Sequence, residues 1–278
     1  MEVFRILPAT LAFVATAAQS SVNSTYPVFL KGINLLSASA AEIATALSIG
    51  NTTSLQLVDA YIARIEANNH QDYNTDVELG MNTTAGSYVL LQSQAKGDAF
   101  VISNLRAAGA LILGKANMDK VSFDKPGHSV GGQCQSAYVV GGFAAGSDPS
   151  GSSRGSAVAV SASSAVAVSA GFAAAALGND TEGSVVSPSN RAALFGLRPS
   201  TGITSRSGVV PISSSQDTAG VMAKSVWDIT AIFEVMAAHD PENAYSAPAD
   251  PFRRENYTQF LGDDGFQGLR IGIPREPF

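Results

Sequence analysis

The chain has 278 residues, 45% of them hydrophobic and 14% charged, which is enough to bury a substantial core and too apolar for a disordered chain. Its net charge is −6 and it has no run of Lys or Arg, which argues against nucleic acid as a partner. A single cysteine, Cys134, excludes an intrachain disulfide and a cysteine-based zinc site, and reads as a small buried hydrophobe.

In chain order, the first expected element is a targeting segment. Arg5 gives a weak positive start, partly offset by Glu2. Ile6 to Ala15 forms a short apolar stretch, and Ala15-Thr16-Ala17-Ala18 offers a small-residue cleavage site. Residues 1–18 therefore read as a signal peptide and 19–278 as the mature domain, with secretion as the expected destination. The apolar stretch is too short to span a bilayer, so no membrane partner is expected. Asn23, Asn51, Asn82 and Asn256 each begin an N-x-S/T triplet, consistent with a secreted glycoprotein.

Ala40 to Ile49 reads as a helix stopped by Gly50, and Ser54 as the cap of a second with Leu55, Val58, Ile62 and Ile65 on one face. Asp98 is expected to cap a third helix ending at Gly109, followed by a short buried strand over Ala110 to Leu113. Ser156–Ser163 (SAVAVSAS) and Ser164–Gly171 (SAVAVSAG) match at seven of eight positions and read as a tandem duplication. Alanine content favours a helix through the repeat. Eight extra helical residues would lengthen it by about 12 Å and rotate the chain beyond it by roughly 80°; the alternative is that the added copy loops out. Ser225 and Asp228 resemble a capping box before Val226, Ile229, Phe233 and Met236, and Leu269 to Ile273 reads as a last strand. Helices interleaved with short apolar strands give an α/β class.

Several segments carry chemistry. Gly151-Ser152-Ser153-Arg154-Gly155 and Asn179-Asp180-Thr181-Glu182-Gly183-Ser184 are serine-bearing glycine turns on either side of the repeat. Met81 to Ser87 (MNTTAGS), Arg106 to Met118 (RAAGALILGKANM), Gly196-Leu197-Arg198-Pro199 and Gly208-Val209-Val210-Pro211 accompany them. Taken together these resemble the amidase signature family in a truncated, fungal-type member, over nearly all the chain after the signal segment. That resemblance implies a mixed β-sheet core covered by helices and hydrolysis of carboxylic amides by a Ser–Ser–Lys triad. It implies Ser184 as nucleophile and Ser152, held by a cis peptide bond, as proton relay. Ser153 would be the supporting hydroxyl, and Asp180, Thr181, Glu182 and Gly183 the turn, with backbone N–H groups from Thr181 to Ser184 forming an oxyanion hole. Glu182 and Arg154 depart from the family's usual residues. A small-molecule amide is the implied partner, and no metal or cofactor is implied.

The resemblance also exposes gaps. The family's lysine precedes the MNTTAGS loop, but here the chain passes from Asn68 through His70 and Tyr73 almost directly to Met81. Lys31, Lys96, Lys115, Lys120, Lys125 and Lys224 are the six lysines, of which Lys115 is a weak substitute. Ser152 and Ser184 are 32 positions apart, and removing one repeat copy restores the family's spacing. The lysine-bearing segment and the family's C-terminal part are expected to be missing, which leaves a non-catalytic binding protein as an alternative. A further alternative is an α/β-hydrolase, since GSSRG also fits G-x-S-x-G with Ser153 central and Asp217, Asp228 and His239 downstream. Ala145–Ser150 is a poor strand for such an elbow, and His239 is better placed at the end of a surface helix. His70 and His128 have no metal-ligand spacing.

Overall fold

A computed structural model describes residues 28–68, 82–118, 129–132, 134–136, 138, 146, 148–161, 171–262, 265–270 and 272. The expected signal segment, the lysine-flanking stretch 69–81, His128 and most of the second repeat copy lie outside these residues.

The fold is α/β. Its centre is a three-stranded sheet in the order β3 (Ala175–Asp180), β5 (Thr218–Ala223), β4 (Phe195–Leu197), with both ladders antiparallel. Every residue of β5 is buried, because helices cover both faces. Side chains alternate across a strand. Val221 therefore joins the core of α3 (Phe100–Ala107) and α6 (Val226–Met236). Met222 faces the other way and packs with Ala157 of α4 (Arg154–Val160) and Val185 before α5 (Val186–Arg191).

A second core belongs to the N-terminal helical pair, α1 (Ala40–Ser48) and α2 (Ser54–Asn68), with the small hairpin β1 (Phe29–Leu30) and β2 (Ile33–Asn34). Ser39 caps α1 in a reciprocal box with Glu42, and the helix ends just before Gly50 as expected. The second helix is capped one residue earlier than expected. Thr53 and Gln56 exchange bonds of 3.2 Å each, so Ser54 is already helical. Its buried face also differs from the expected one. Leu57, Ala60, Tyr61 and Arg64 face inward, whereas Leu55 is 70% exposed and Val58, Ile62 and Ile65 are half-buried. The inward stripe runs i, i+3, i+4, i+7 and the expected one i, i+3, i+7, i+10; both are helical spacings, so periodicity alone could not choose between them.

The remaining differences share a cause, which is that local pattern does not supply a partner. Asp98 does not cap α3; it pairs with Arg106 at 2.6 Å, and Ala99 takes the cap position. Ala110 to Leu113 is not a strand, and no strand pairs with it among the described residues. Leu269 is 64% exposed and the described part of 269–273 is likewise not a strand. Val226 is exposed at the first turn of α6, while Ile229, Phe233 and Met236 are buried as expected. Ser225 caps that helix, but only half of the predicted box forms. Instead of reaching back to Ser225, the Asp228 carboxylate accepts the amides of Ala40 and Ala41 at 3.0 Å each, capping the neighbouring α1.

The repeat does not form one long helix. α4 ends at Val160, and Ser161 has extended backbone. The Gly171 amide donates to Ser161 O at 3.0 Å and Phe172 N to Ala159 O at 2.7 Å. The chain thus leaves α4 and returns at hydrogen-bonded points, and the rotation anticipated for an extended helix is not transmitted to β3.

Candidate active site

The two serine turns meet where α4 begins and β3 ends. Ser153 N donates to Ser184 O at 3.2 Å. The Ser153 hydroxyl lies against the strand, accepting from Asn179 N at 3.2 Å and reaching Asn179 O at 3.3 Å. Gly178 makes this approach possible, because a Cβ there would stand 2.5 Å from Ser153 Oγ. The expected site residues Ser152, Ser153 and Ser184 are buried, Thr181 and Gly183 are half-buried, and Glu182 is exposed.

Asp180 organises the turn that carries Ser184. Its carboxylate has no exposure. Oδ1 accepts from Gly183 N at 2.6 Å and from Arg198 Nε at 3.2 Å. Oδ2 accepts from Val185 N at 2.7 Å and Val186 N at 3.3 Å. Charge-assisted bonds of this kind compensate a buried carboxylate for the water it has lost. Thr181 is fixed from the other side, its hydroxyl donating to Asp217 Oδ1 at 2.6 Å while Ile212 N donates to Oδ2 at 2.7 Å. Gly183 sits at φ +133°, where a side chain would be strained.

This geometry corrects two expectations. The Gly183 N–H is already taken by Asp180, so of the four expected oxyanion donors those of Thr181, Glu182 and Ser184 are left, with no acceptor among the described residues. The described backbone also has no cis peptide bond, so Ser152 is trans. The bend is made instead by left-handed residues at Ser150 (φ +62°) and Gly151 (φ +65°). The Ser152 hydroxyl is 1% exposed and has no hydrogen-bond partner among the described residues.

Arg154 serves the same bend. Its Nε donates to Gly151 O at 3.0 Å, and Nη1 lies 3.5 Å from Asp148 Oδ1. Lys115 donates to Thr83 Oγ1 at 2.7 Å and Asn82 O at 3.4 Å, holding the segment before α4 to the 82–87 loop. Burial lowers its pKa from the usual lysine value. Cys134 is half-buried and its sulfur accepts from Asn117 Nδ2 at 3.4 Å.

The α/β-hydrolase arrangement is not assembled. Asp228 caps α1, Asp217 holds Thr181, and His239 Nδ1 lies 2.9 Å from Asp250 Oδ2 on the surface. Two residues take roles here that the sequence did not assign to them. Arg198 was visible only as part of GLRP, and Asp217 only as a possible triad acid. The usable signal was chemical, since an acid in a buried turn requires a cation or several amides.

Comparison with known proteins places this geometry. Residues 73–278 match the family model described as Amidase. A probable amidase of Arabidopsis thaliana is 40% identical over 200 residues, covering 69% of this chain and 36% of the relative. A glutamyl-tRNA(Gln) amidotransferase polypeptide of Symbiobacterium thermophilum is 39% identical over 198 residues, covering 71% of this chain and 37% of the relative. The chain thus spans little more than a third of these relatives' length. The native peptide amidase of Stenotrophomonas maltophilia superposes with a TM-score of 0.69 at 30% identity, covering 83% of this chain and 54% of that one. The α/β arrangement described above is therefore the amidase signature fold, and the chain belongs to the amidase family.

Proposed function

We propose that the protein acts on carboxylic amides through Ser184. The observation that carries this reading is the Asp180-centred turn, which presents Ser184 beside the Ser152–Ser153 bend with three backbone N–H groups open among the described residues. In this reading Ser184 Oγ attacks the amide carbonyl carbon, and its proton passes by way of Ser152 toward the departing nitrogen. The C–N bond breaks to release ammonia or an amine, and water then cleaves the acyl ester. The open N–H groups of Thr181, Glu182 and Ser184 are the donors available to the developing oxyanion; a single such donor is commonly worth about 10²–10³ in rate.

A second reading, a binding protein without turnover, is favoured by a separate observation. The Ser152 hydroxyl has no partner among the described residues, and the sequence has no lysine between Lys31 and Lys96. Fluorophosphonate labelling followed by peptide mass analysis separates the two. An adduct on Ser184 that disappears in Ser184→Ala supports the hydrolase. No adduct supports the binding protein, and an adduct on Ser153 revives the α/β-hydrolase arrangement.

We also read residues 1–18 as a removable signal peptide, 19–278 as a partial amidase domain and the product as a secreted glycoprotein. Asn51, Asn82 and Asn256 are exposed, as acceptors must be, whereas Asn179 of the N-D-T triplet is buried. N-terminal sequencing of secreted material and a mass shift on glycosidase treatment test this reading.

A further inference from the structure

We propose that Arg198 is a positioning residue for the catalytic turn, acting on Ser184 through Asp180. Ser184 lies between Gly183 and Val185, and the amides of both neighbours are held by the Asp180 carboxylate. Wherever that carboxylate sits therefore sets the direction in which Ser184 points. Asp180 has no exposure, and Arg198 is its salt-bridge partner at 3.2 Å, bonded to the same oxygen that binds Gly183. A buried carboxylate stripped of its cation keeps its desolvation cost and loses the attraction that offset it.

Arg198 is also well placed to hold a fixed position. It follows β4 directly, and its Nη2 donates to Thr181 O at 3.3 Å and Gln216 O at 2.8 Å. One guanidinium thus joins the end of β4, the carbonyl at the start of the turn and the loop entering β5. The planar fork of arginine suits this set of acceptors, whereas a lysine ammonium keeps the charge without the fork. Neutralising position 198 should let Asp180 move toward water, free the Gly183 N–H and loosen the left-handed Gly183.

The catalytic consequence rests on the reading of Ser184 as nucleophile; the geometric one does not. The test is backbone hydrogen exchange on the full chain, comparing wild type with Arg198→Met and Arg198→Lys. In Arg198→Met, protection of the Gly183 and Val185 amides should fall at least tenfold, while Val221 and Met222 in β5 keep theirs. Arg198→Lys should restore part of the protection. The rate of fluorophosphonate labelling at Ser184 should fall and recover in the same order. Unchanged protection of the turn in Arg198→Met overturns the proposal. So does loss of protection through β5 as well in both variants, which marks a general structural role. Should Arg198→Met unfold, a turn-selective loss in Arg198→Lys supports the proposal and wild-type protection there overturns it. A wild type that does not label at Ser184 defeats the amidase reading, while the exchange pattern still decides the role of Arg198.

Discussion

The two serine turns that meet at the site are held in opposite ways. The Asp180–Ser184 turn is tied together by one carboxylate, which binds three amides close to it in sequence and the guanidinium of Arg198, 18 positions on. The Gly151–Ser153 bend is shaped by left-handed Ser150 and Gly151 and by Arg154, yet its central hydroxyl, Ser152, is buried without a partner among the described residues. A turn built around one satisfied carboxylate shows most of its support in its own sequence, and Arg198 supplies the rest from just after β4. A turn whose key hydroxyl depends on a distant partner does not carry that information in its own sequence.

The comparison can be broken most forcefully at Asp180. Asp180→Ala leaves Arg198 and three amides without their acceptor, and should cost about 3–5 kcal/mol in chemical denaturation. A loss below about 1 kcal/mol would mean that the turn does not depend on its carboxylate.

A second test uses pH and a residue outside both turns. Burial, then the neighbouring Arg64, pushes Lys224 down to about 8 from 10.5, against the opposing pull of Asp228 and Glu42. The unfolded chain therefore binds more protons than the folded one between these values. Stability should rise from pH 8 toward 10.5, at no more than about 1.4 kcal/mol per pH unit from this group. Below pH 8 the full penalty of the charged form is present. Denaturation midpoints measured across this range should lose this contribution in Lys224→Met; an unchanged slope would sink the assignment.

The sharpest contrast is between adjacent serines. Ser153→Ala removes the acceptor of Asn179 N and should cost about 1–2 kcal/mol. Ser152→Ala removes an unsatisfied hydroxyl and should change stability by less than about 0.5 kcal/mol in either direction, since no bond is lost. Paired denaturation curves check both. Equal losses would show that Ser152 has a partner after all.

The same division explains what could be read from sequence. Ser39 with Glu42, and Ser225 before α6, announce helix starts because their partners lie three residues away. The serine turns were legible for the same reason, since their glycines and hydroxyls are contiguous. Asp228 looked like half of a capping box, but its carboxylate serves α1, some 188 positions earlier in the chain. The inward face of α2 depended on which of two apolar stripes found a core. Ala110 to Leu113 had strand-like composition and no ladder to join among the described residues. In each case the missing quantity was a tertiary partner, which local spacing does not encode. Arg198 belongs with these, because its importance comes from a carboxylate 18 residues away.

The hydrogen-bonded closure between Ser161 and Gly171 has a practical consequence. Chain enters and leaves at nearly the same place there, next to the end of a helix and ahead of the strand that leads into the Asp180–Ser184 turn. Such a junction acts as a port: peptide length can change behind it without altering the register in front of it. Loop closure costs only about 0.6 kcal/mol for each doubling of length. An epitope or a small fluorescent domain inserted between residues 161 and 171 should therefore report on this protein while the serine turns beyond it stay in place.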